Sequence, residues 1–203
     1  MKKKFLNSSL NIVKKNNSSI SDEELEVITY GLEGIYLTFT KFVVLILVSL
    51  ILGILKEVIL LSIFYNIIRF VAFGLHASKS IHCLIMSLIM FVGGTYFCLY
   101  VPLNAFVKTC LAGVCVIILF KYAPADTEKR PIISKKRRMM FKILSTLFGL
   151  IYTLIIIWFS NSYLSMFLLV GMIEATVMIH PLSYKMLSLP YNNYKNYEIG
   201  LSN

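Results

Sequence analysis

A histidine and a cysteine lie seven positions apart in this chain, beside an arginine and a glycine, between two long apolar runs. These residues are Arg69, Gly74, His76 and Cys83. Ionisable groups that interrupt apolar runs of membrane length are costly, and they usually mark a function. A thiol near an imidazole is suited to nucleophilic catalysis, because the imidazole takes the thiol proton and the thiolate attacks a carbonyl. Segment 69–83 is therefore a candidate catalytic site.

Two histidines, His76 and His82, are candidate bases for Cys83, and on a helix they would lie in different positions relative to its thiol. On a helix, His82 would point about 100° away from Cys83. His76 would point in nearly the same direction as Cys83, but about 10 Å away along the helix axis. A contact between His76 and Cys83 therefore requires a break in the helix, which Gly74 favours. Arg69 is suited to holding a carboxylate or a carbonyl oxygen. The alternative is a polar loop whose histidines have no catalytic role.

The composition predicts a membrane protein. The chain has 203 residues, 58% of them hydrophobic, with 20 Lys+Arg against 10 Asp+Glu and a net charge of +10. Its mean hydropathy of +0.77 is too high for an ordinary soluble domain. The positive charge lies in short runs beside apolar segments, which favours a lipid bilayer as partner and argues against nucleic acid. The four cysteines show neither a CxxC pair nor zinc-ligand spacing, so we expect no metal and no cofactor.

The apolar runs predict an all-α fold with six transmembrane helices, preceded by an N-terminal amphipathic helix. A spanning helix needs about 20 apolar residues. Ser21 and Glu24 have the spacing of a capping box, which predicts a helix start there. The expected organisation is an N-terminal cytoplasmic segment over 1–36, a six-span domain over 37–182 and a cytoplasmic tail over 183–203. The first four spans are expected near 37–55, 58–74, 83–101 and 104–120; the last two share 143–180, with a turn at 160–162.

Basic residues predict the orientation of these spans. Cytoplasmic segments of membrane proteins carry an excess of Lys and Arg. Here that excess lies in both termini and in the second and fourth connections, which include 69–79 and 121–138. We therefore expect both termini and the candidate catalytic segment to face the cytoplasm.

Two separated motifs resemble one known family. Arg69, Gly74, His76-Ala77 and Cys83 are similar to the R-x4-G-x-H-A-x5-C segment of the accessory gene regulator B (AgrB) family of membrane cysteine endopeptidases. Segment 122–132 resembles that family's Y-A-P-x-x-T-x-x-[KR]-P-[IL] loop. Phe73 stands where the family often has a small residue.

This resemblance implies a function and a set of roles. AgrB proteins process the precursor of an autoinducing peptide in Gram-positive quorum sensing: they remove its acidic C-terminal segment and close the remainder into a thiolactone or lactone through an acyl-enzyme thioester. By position, Cys83 would be the nucleophile and His76, rather than His82, the general base. The resemblance also implies a bacterial plasma membrane location, a homodimer and a precursor with an acidic C-terminal segment as partner.

Further polar residues have more than one interpretation. Glu174 lies in an expected span and resembles an acidic position of the family, so we expect it to face the bundle interior and support the site. Its candidate partners are Arg69, Lys108 and an imidazole. Asp126 and Glu128 either orient His76 or simply solvate their loop. A basic run either attracts the acidic segment of the precursor or meets lipid headgroups and sets orientation; it comprises Lys135, Lys136, Arg137 and Arg138.

Two other functions compete with the peptidase. One is a peptide transporter or exporter in which His76 and Cys83 only line a pore. The other is a non-catalytic membrane scaffold that recruits an acidic partner through segment 135–138. The sequence contains no nucleotide-binding loop, so transport driven by its own ATP hydrolysis is not supported.

Overall fold

A computed structural model describes residues 2–16, 20–75, 80–127 and 131–195. The chain forms two compact units, Met1–Gly53 and Ile54–Asn203. The described residues are helical, apart from connections and one isolated bridge between Phe73 and Ala125. This agrees with the predicted all-α class.

The first unit consists of two helices, α1 (Lys2–Asn16) and α2 (Asp22–Ile51), which pack against each other. The predicted capping box is present: the Glu24 amide donates to the Ser21 hydroxyl at 3.2 Å, and the Ser21 amide donates to the Glu24 carboxylate at 3.0 Å. The sequence placed an amphipathic helix before residue 36 and a span after it. Helix α2 runs through residue 36 without a break, because the sequence there has no proline.

The second unit contains the remaining helices. The first, α3, ends within the candidate segment 69–83, and α4 begins within it. A π-helical turn and α5 continue α4, and α6 to α9 complete the unit. Their bounds are α3 Leu55–Ala72, α4 Ser80–Leu88, the π turn Ile89–Gly93, α5 Gly94–Tyr100, α6 Ala105–Tyr122, α7 Lys135–Trp158, α8 Tyr163–Ile179 and α9 Pro181–Met186.

Helix α8 is the centre of the second unit. It packs against α3, α5, α6 and α7, and its side chains are buried on every face from Ser165 to Met172. A helix that is apolar all round needs such surroundings. The connection before it contains the predicted turn at 160–162, and the Ser162 hydroxyl accepts a hydrogen bond of 3.2 Å from the Leu164 amide.

Four helices are long and apolar enough to cross a membrane, judged over the described residues. They are Val27–Ile51, Cys83–Tyr100, Ala105–Tyr122 and Lys135–Trp158. Helix α8 is apolar but shorter, at 17 residues, and α3 carries the charged residues Lys56, Glu57 and Arg69. The outward side of α7 exposes an apolar stripe suited to lipid contact, formed by Ile143, Leu147, Leu150 and Leu154. The chain is therefore a helical membrane protein.

Candidate active site

Segment 69–83 contains the break that a contact between His76 and Cys83 requires. Helix α3 ends at Ala72 and α4 starts at Ser80. Phe73 and Gly74 have φ angles of 58° and 114°, which leave the helical region altogether. A continuous helix through the segment is thus excluded. His76 lies outside the described residues, and so does the side chain of His82.

Arg69 holds the bend together. It lies in the last turn of α3, where backbone carbonyls lack helical partners. One guanidinium nitrogen donates to the Phe73 carbonyl and the other to the Leu75 carbonyl. Of the two roles considered for Arg69, the structure has the one in which it binds carbonyl oxygens. These oxygens belong to the protein's own backbone.

Gly74 is required at the bend for two reasons. Its φ of 114° is strained for any residue with a side chain. A Cβ at this position would also overlap the Arg69 guanidinium and would lie 2.7 Å from the Met178 carbonyl. The absence of a side chain at Gly74 therefore allows the Arg69 guanidinium and the Met178 carbonyl, near the end of α8, to pack closely against the bend.

The two sequence motifs are joined by backbone hydrogen bonds. The Gly74 amide donates to the Ala125 carbonyl at 2.7 Å, and the Ala125 amide donates to the Ala72 carbonyl at 3.0 Å. The Leu75 amide donates to the Met178 carbonyl at 3.0 Å. The residues that lead directly into His76 are thus fixed by the 122–132 loop on one side and by α8 on the other.

Cys83 lies in α4, with a half-buried side chain. Its carbonyl accepts a 2.8 Å hydrogen bond from the Ser87 hydroxyl. The Tyr65 side chain of α3 interacts with Arg69 and lies within electrostatic reach of Cys83 and Glu174. Tyr65 was not identified from the sequence. Its position one helical turn before Arg69 was the available signal, because residues four apart share a helix face.

Glu174 faces the bundle interior, as predicted. It is 9% exposed, and its Oε2 atom has no hydrogen-bond partner among the described residues. Its Oε1 atom occupies the space that a Cβ on Gly94 would fill. Gly94 directly follows the π-helical turn, a feature that is frequent at functional sites. Lys108, considered as a partner, donates instead to the Ser160 carbonyl and, at 2.8 Å, to the Ser165 hydroxyl.

The Asp126 carboxylate is buried within the protein and is not exposed to solvent. It is 3% exposed, and its two oxygens accept hydrogen bonds from the amides of Asn193 at 3.0 Å and Tyr194 at 2.8 Å. The Tyr184 hydroxyl donates to the Asp126 carbonyl at 3.0 Å. Glu128 lies outside the described residues.

Burial raises the pKa of the tyrosines near Asp126. It raises the pKa of Tyr184, and Asp126 raises it further against the opposing effect of Arg69. Burial likewise raises the pKa of Tyr191 to about 12, with Tyr122, Tyr194 and Asp126 adding to the effect.

The basic run forms the first turn of α7. Lys135, Lys136 and Arg137 are exposed, whereas Arg138 is half-buried with its guanidinium carbon 3.5 Å from the centre of the Tyr194 ring. Positive charge at the start of a helix opposes the helix dipole. The run therefore does not stabilise α7, and three of its side chains remain accessible to an anionic partner.

The other cysteines pack against the helices. The Cys98 thiol donates to the Met166 carbonyl at 3.7 Å, and the Cys115 sulfur accepts from the Thr176 hydroxyl at 3.6 Å. Cys110 is exposed on α6. Within the described residues, no group of three His, Cys, Asp or Glu side chains is arranged to hold a metal ion.

Comparison with known proteins identifies the family. The family model of accessory gene regulator B matches residues 6–179, a stretch that contains both motifs of the bend. The chain belongs to the AgrB family. Membership associates it with accessory gene regulation and the processing of quorum-sensing peptides.

Individual AgrB relatives match over most of their length. An AgrB-like protein of Clostridium acetobutylicum is 33% identical over 91% of this chain and 89% of its own. One from Listeria monocytogenes is 30% identical over 92% of both chains. The accessory gene regulator protein B of Staphylococcus aureus is 30% identical over 76% of this chain and 81% of its own. No solved structure matches.

Proposed function

We propose that this AgrB family member is a membrane cysteine endopeptidase. It cleaves the C-terminal segment from a quorum-sensing peptide precursor and closes the remaining peptide into a thiolactone or lactone. One observation carries the proposal: the backbone bonds among Ala72, Gly74 and Ala125 build a rigid bend directly before His76, and Cys83 follows on the next helix. A base and a nucleophile on opposite sides of such a bend can meet, as they cannot on one straight helix.

The proposed reaction exchanges one acyl bond for another. His76 takes the thiol proton of Cys83, and the thiolate attacks the carbonyl at the cleavage position of the precursor. The peptide C–N bond breaks, the protonated His76 gives its proton to the departing amine, and a thioester to Cys83 remains. A thiol or hydroxyl of the precursor then attacks this thioester, loses its proton to His76 and expels the Cys83 thiolate.

The cyclisation must compete with hydrolysis of the Cys83 thioester, a reaction with a far more favourable free energy. The site therefore has to exclude water and hold the attacking group of the precursor near the thioester. Arg69 and Gly74 support this by fixing the backbone before His76. Tyr65 and Glu174 line the same region from α3 and α8 and support the dyad there.

We further propose that six helical segments cross the bacterial plasma membrane, with both termini and the dyad on the cytoplasmic side. Helices α2, α3, α4–α5, α6, α7 and α8 supply the segments, and the distribution of Lys and Arg supplies the orientation. The organisation into 1–36, 37–182 and 183–203 and the homodimer belong to the same proposal.

The basic run is proposed to recruit the precursor. Its exposed members, Lys135, Lys136 and Arg137, lie on the side expected to carry the dyad. They would raise the local concentration of a peptide with an acidic C-terminal segment. No cofactor takes part in the proposed reaction.

A reconstitution experiment tests the function. The purified protein in liposomes is mixed with a synthetic precursor, chosen from a small neighbouring reading frame that encodes a central cysteine or serine and an acidic tail. Mass spectrometry should show the released C-terminal fragment and the cyclic product. Cys83→Ala should abolish both, and Cys110→Ser, a change at an exposed thiol on α6, should preserve them. Fragment release by Cys83→Ala would refute the peptidase, and uptake of intact precursor would favour the transporter.

A further inference from the structure

The C-terminal segment 189–195 folds back onto the loop that contacts the bend. The Leu189 amide donates to the Tyr184 carbonyl at 2.9 Å, which turns the chain after α9. The segment then meets Asp126, 68 residues away in sequence from Tyr194. A third contact comes from α7, where Arg138 stacks on the Tyr194 ring at 3.5 Å.

Asp126 is the centre of this contact. A buried carboxylate needs strong hydrogen bonds to offset its lost hydration. Here the amides of Asn193 and Tyr194 supply them at 3.0 and 2.8 Å. Bonds from N–H groups to a carboxylate are stronger than those between neutral groups. The loop and the tail segment therefore stabilise each other's position.

The contact extends to the bend through one residue. Ala125, next to Asp126, accepts the hydrogen bond of Gly74 and donates to Ala72. A loop that moved away from the tail segment would pull on both bonds. The chain entering His76 would then lose its support on that side.

We propose that Asp126 is a positioning residue: its carboxylate binds the segment 189–195 and so holds residues 72–75, which lead into His76, in the bent conformation. In this role Asp126 acts through the backbone of residues 72–75 and not on the substrate. Its effect on cleavage rests on the proposed function, but its effect on the bend does not.

Hydrogen exchange on the full-length protein in lipid nanodiscs tests the positioning without any substrate. Asp126→Ala should speed exchange at the amides of Asn193 and Tyr194 about ten- to a hundredfold, as expected for two lost bonds to a carboxylate. Exchange at Gly74 and Leu75 should rise about tenfold through the lost support of the loop. Lys195→Ala, an exposed change in the same tail, should leave all four amides unchanged.

A second pair of variants leaves the loop intact. Tyr194→Pro removes the amide that donates to Asp126, whereas Tyr194→Ala removes the ring and keeps the amide. Exchange at Gly74 and Leu75 should be about tenfold faster in Tyr194→Pro than in Tyr194→Ala. Equal exchange in the two variants, or unchanged exchange at Gly74 and Leu75 in Asp126→Ala, would overturn the proposal.

Cleavage kinetics separate this proposal from the proposed function. If the unmodified protein cleaves the precursor, Asp126→Ala should lower kcat about tenfold and change KM less than about twofold. The reason is that the substitution disturbs the position of the dyad and leaves the contacts with the substrate unchanged. An unchanged kcat would refute the positioning role and leave the peptidase intact. If the unmodified protein does not cleave but exchange at Gly74 responds as expected, the peptidase fails and the positioning of the bend stands.

Discussion

The amide of Gly74 donates a 2.7 Å hydrogen bond to the carbonyl of Ala125. This bond joins the two motifs that characterise the chain, and it forms where α3 has ended and α4 has not yet begun. It explains why the two motifs belong together. The first motif contains the proposed dyad. The second motif fixes the backbone at residues 72–74, directly before His76.

Gly74→Ala should disable the site. The new Cβ would clash with Arg69 and the Met178 carbonyl at a φ of 114°, and such strain costs about 1–3 kcal/mol of stability. We expect precursor cleavage to fall at least about a hundredfold, because small displacements of catalytic groups have effects of this size. Gly113→Ala is the control, since a Cβ there meets open space within α6. It should retain cleavage and unfold at the same temperature or higher. Normal cleavage by Gly74→Ala would contradict the role of the bend.

Arg69→Lys should reduce cleavage although the positive charge is kept. The guanidinium binds the carbonyls of Phe73 and Leu75 together, and a single ammonium group cannot reproduce this two-pronged geometry. We expect kcat to fall about tenfold or more, the equivalent of one lost charged hydrogen bond. Arg137→Lys, an exposed arginine on α7, is the matched control and should cleave normally. Full activity in Arg69→Lys would indicate that only its charge matters.

The choice of base is tested by two histidine variants. His76→Ala should abolish cleavage, and His82→Ala should preserve it. The reason is the bend: a histidine before α4 can approach Cys83, whereas a neighbour within the same helix points about 100° away. Cleavage rates in liposomes decide between them. The reverse result would assign the base to His82.

Neutralising the exposed basic run should weaken recruitment and spare the chemistry. We expect the triple change of Lys135, Lys136 and Arg137 to Gln to raise KM for an acidic precursor about tenfold, with kcat within about twofold. The KM of the unmodified protein should rise with salt, because the Debye length shortens. The double change of Lys185 and Lys195 to Gln controls for general loss of charge on exposed residues. Equal effects in both variants would mean that the run acts only as part of the net charge.

The proposed orientation is testable in intact cells. A membrane-impermeant thiol reagent should label Asn161→Cys in the connection between α7 and α8 and should not label Lys195→Cys in the tail, although both positions are exposed. The unmodified protein provides the background from its native thiols. Labelling of Lys195→Cys from outside would invert the topology.

Some features of the structure were not predicted from local sequence patterns. Helix α1 was not anticipated, because its lysines, asparagines and serines give little apolar periodicity. The segment before residue 36 and the first span form one helix, since neither Pro nor a helix-ending Gly separates them. The sequence left Asp126 either in a solvated loop or oriented toward His76; the first is wrong, because the carboxylate is buried and binds the amides of Asn193 and Tyr194.

Features that depend on near neighbours could be predicted from the sequence: the helical class, the capping box at Ser21, the turn at 160–162 and the need for a break beside Gly74. The reactive side chains, too, are evident from the sequence. Which distant groups meet at the break became evident only once the helices were packed together. Arg69 binds the bend's own carbonyls, Ala125 pairs with Gly74, Glu174 packs against Gly94 and Asp126 binds the amides of Asn193 and Tyr194. The reason is physical. Helical periodicity and capping act within a few residues, whereas these contacts join segments that become neighbours only when α3, α6 and α8 pack together.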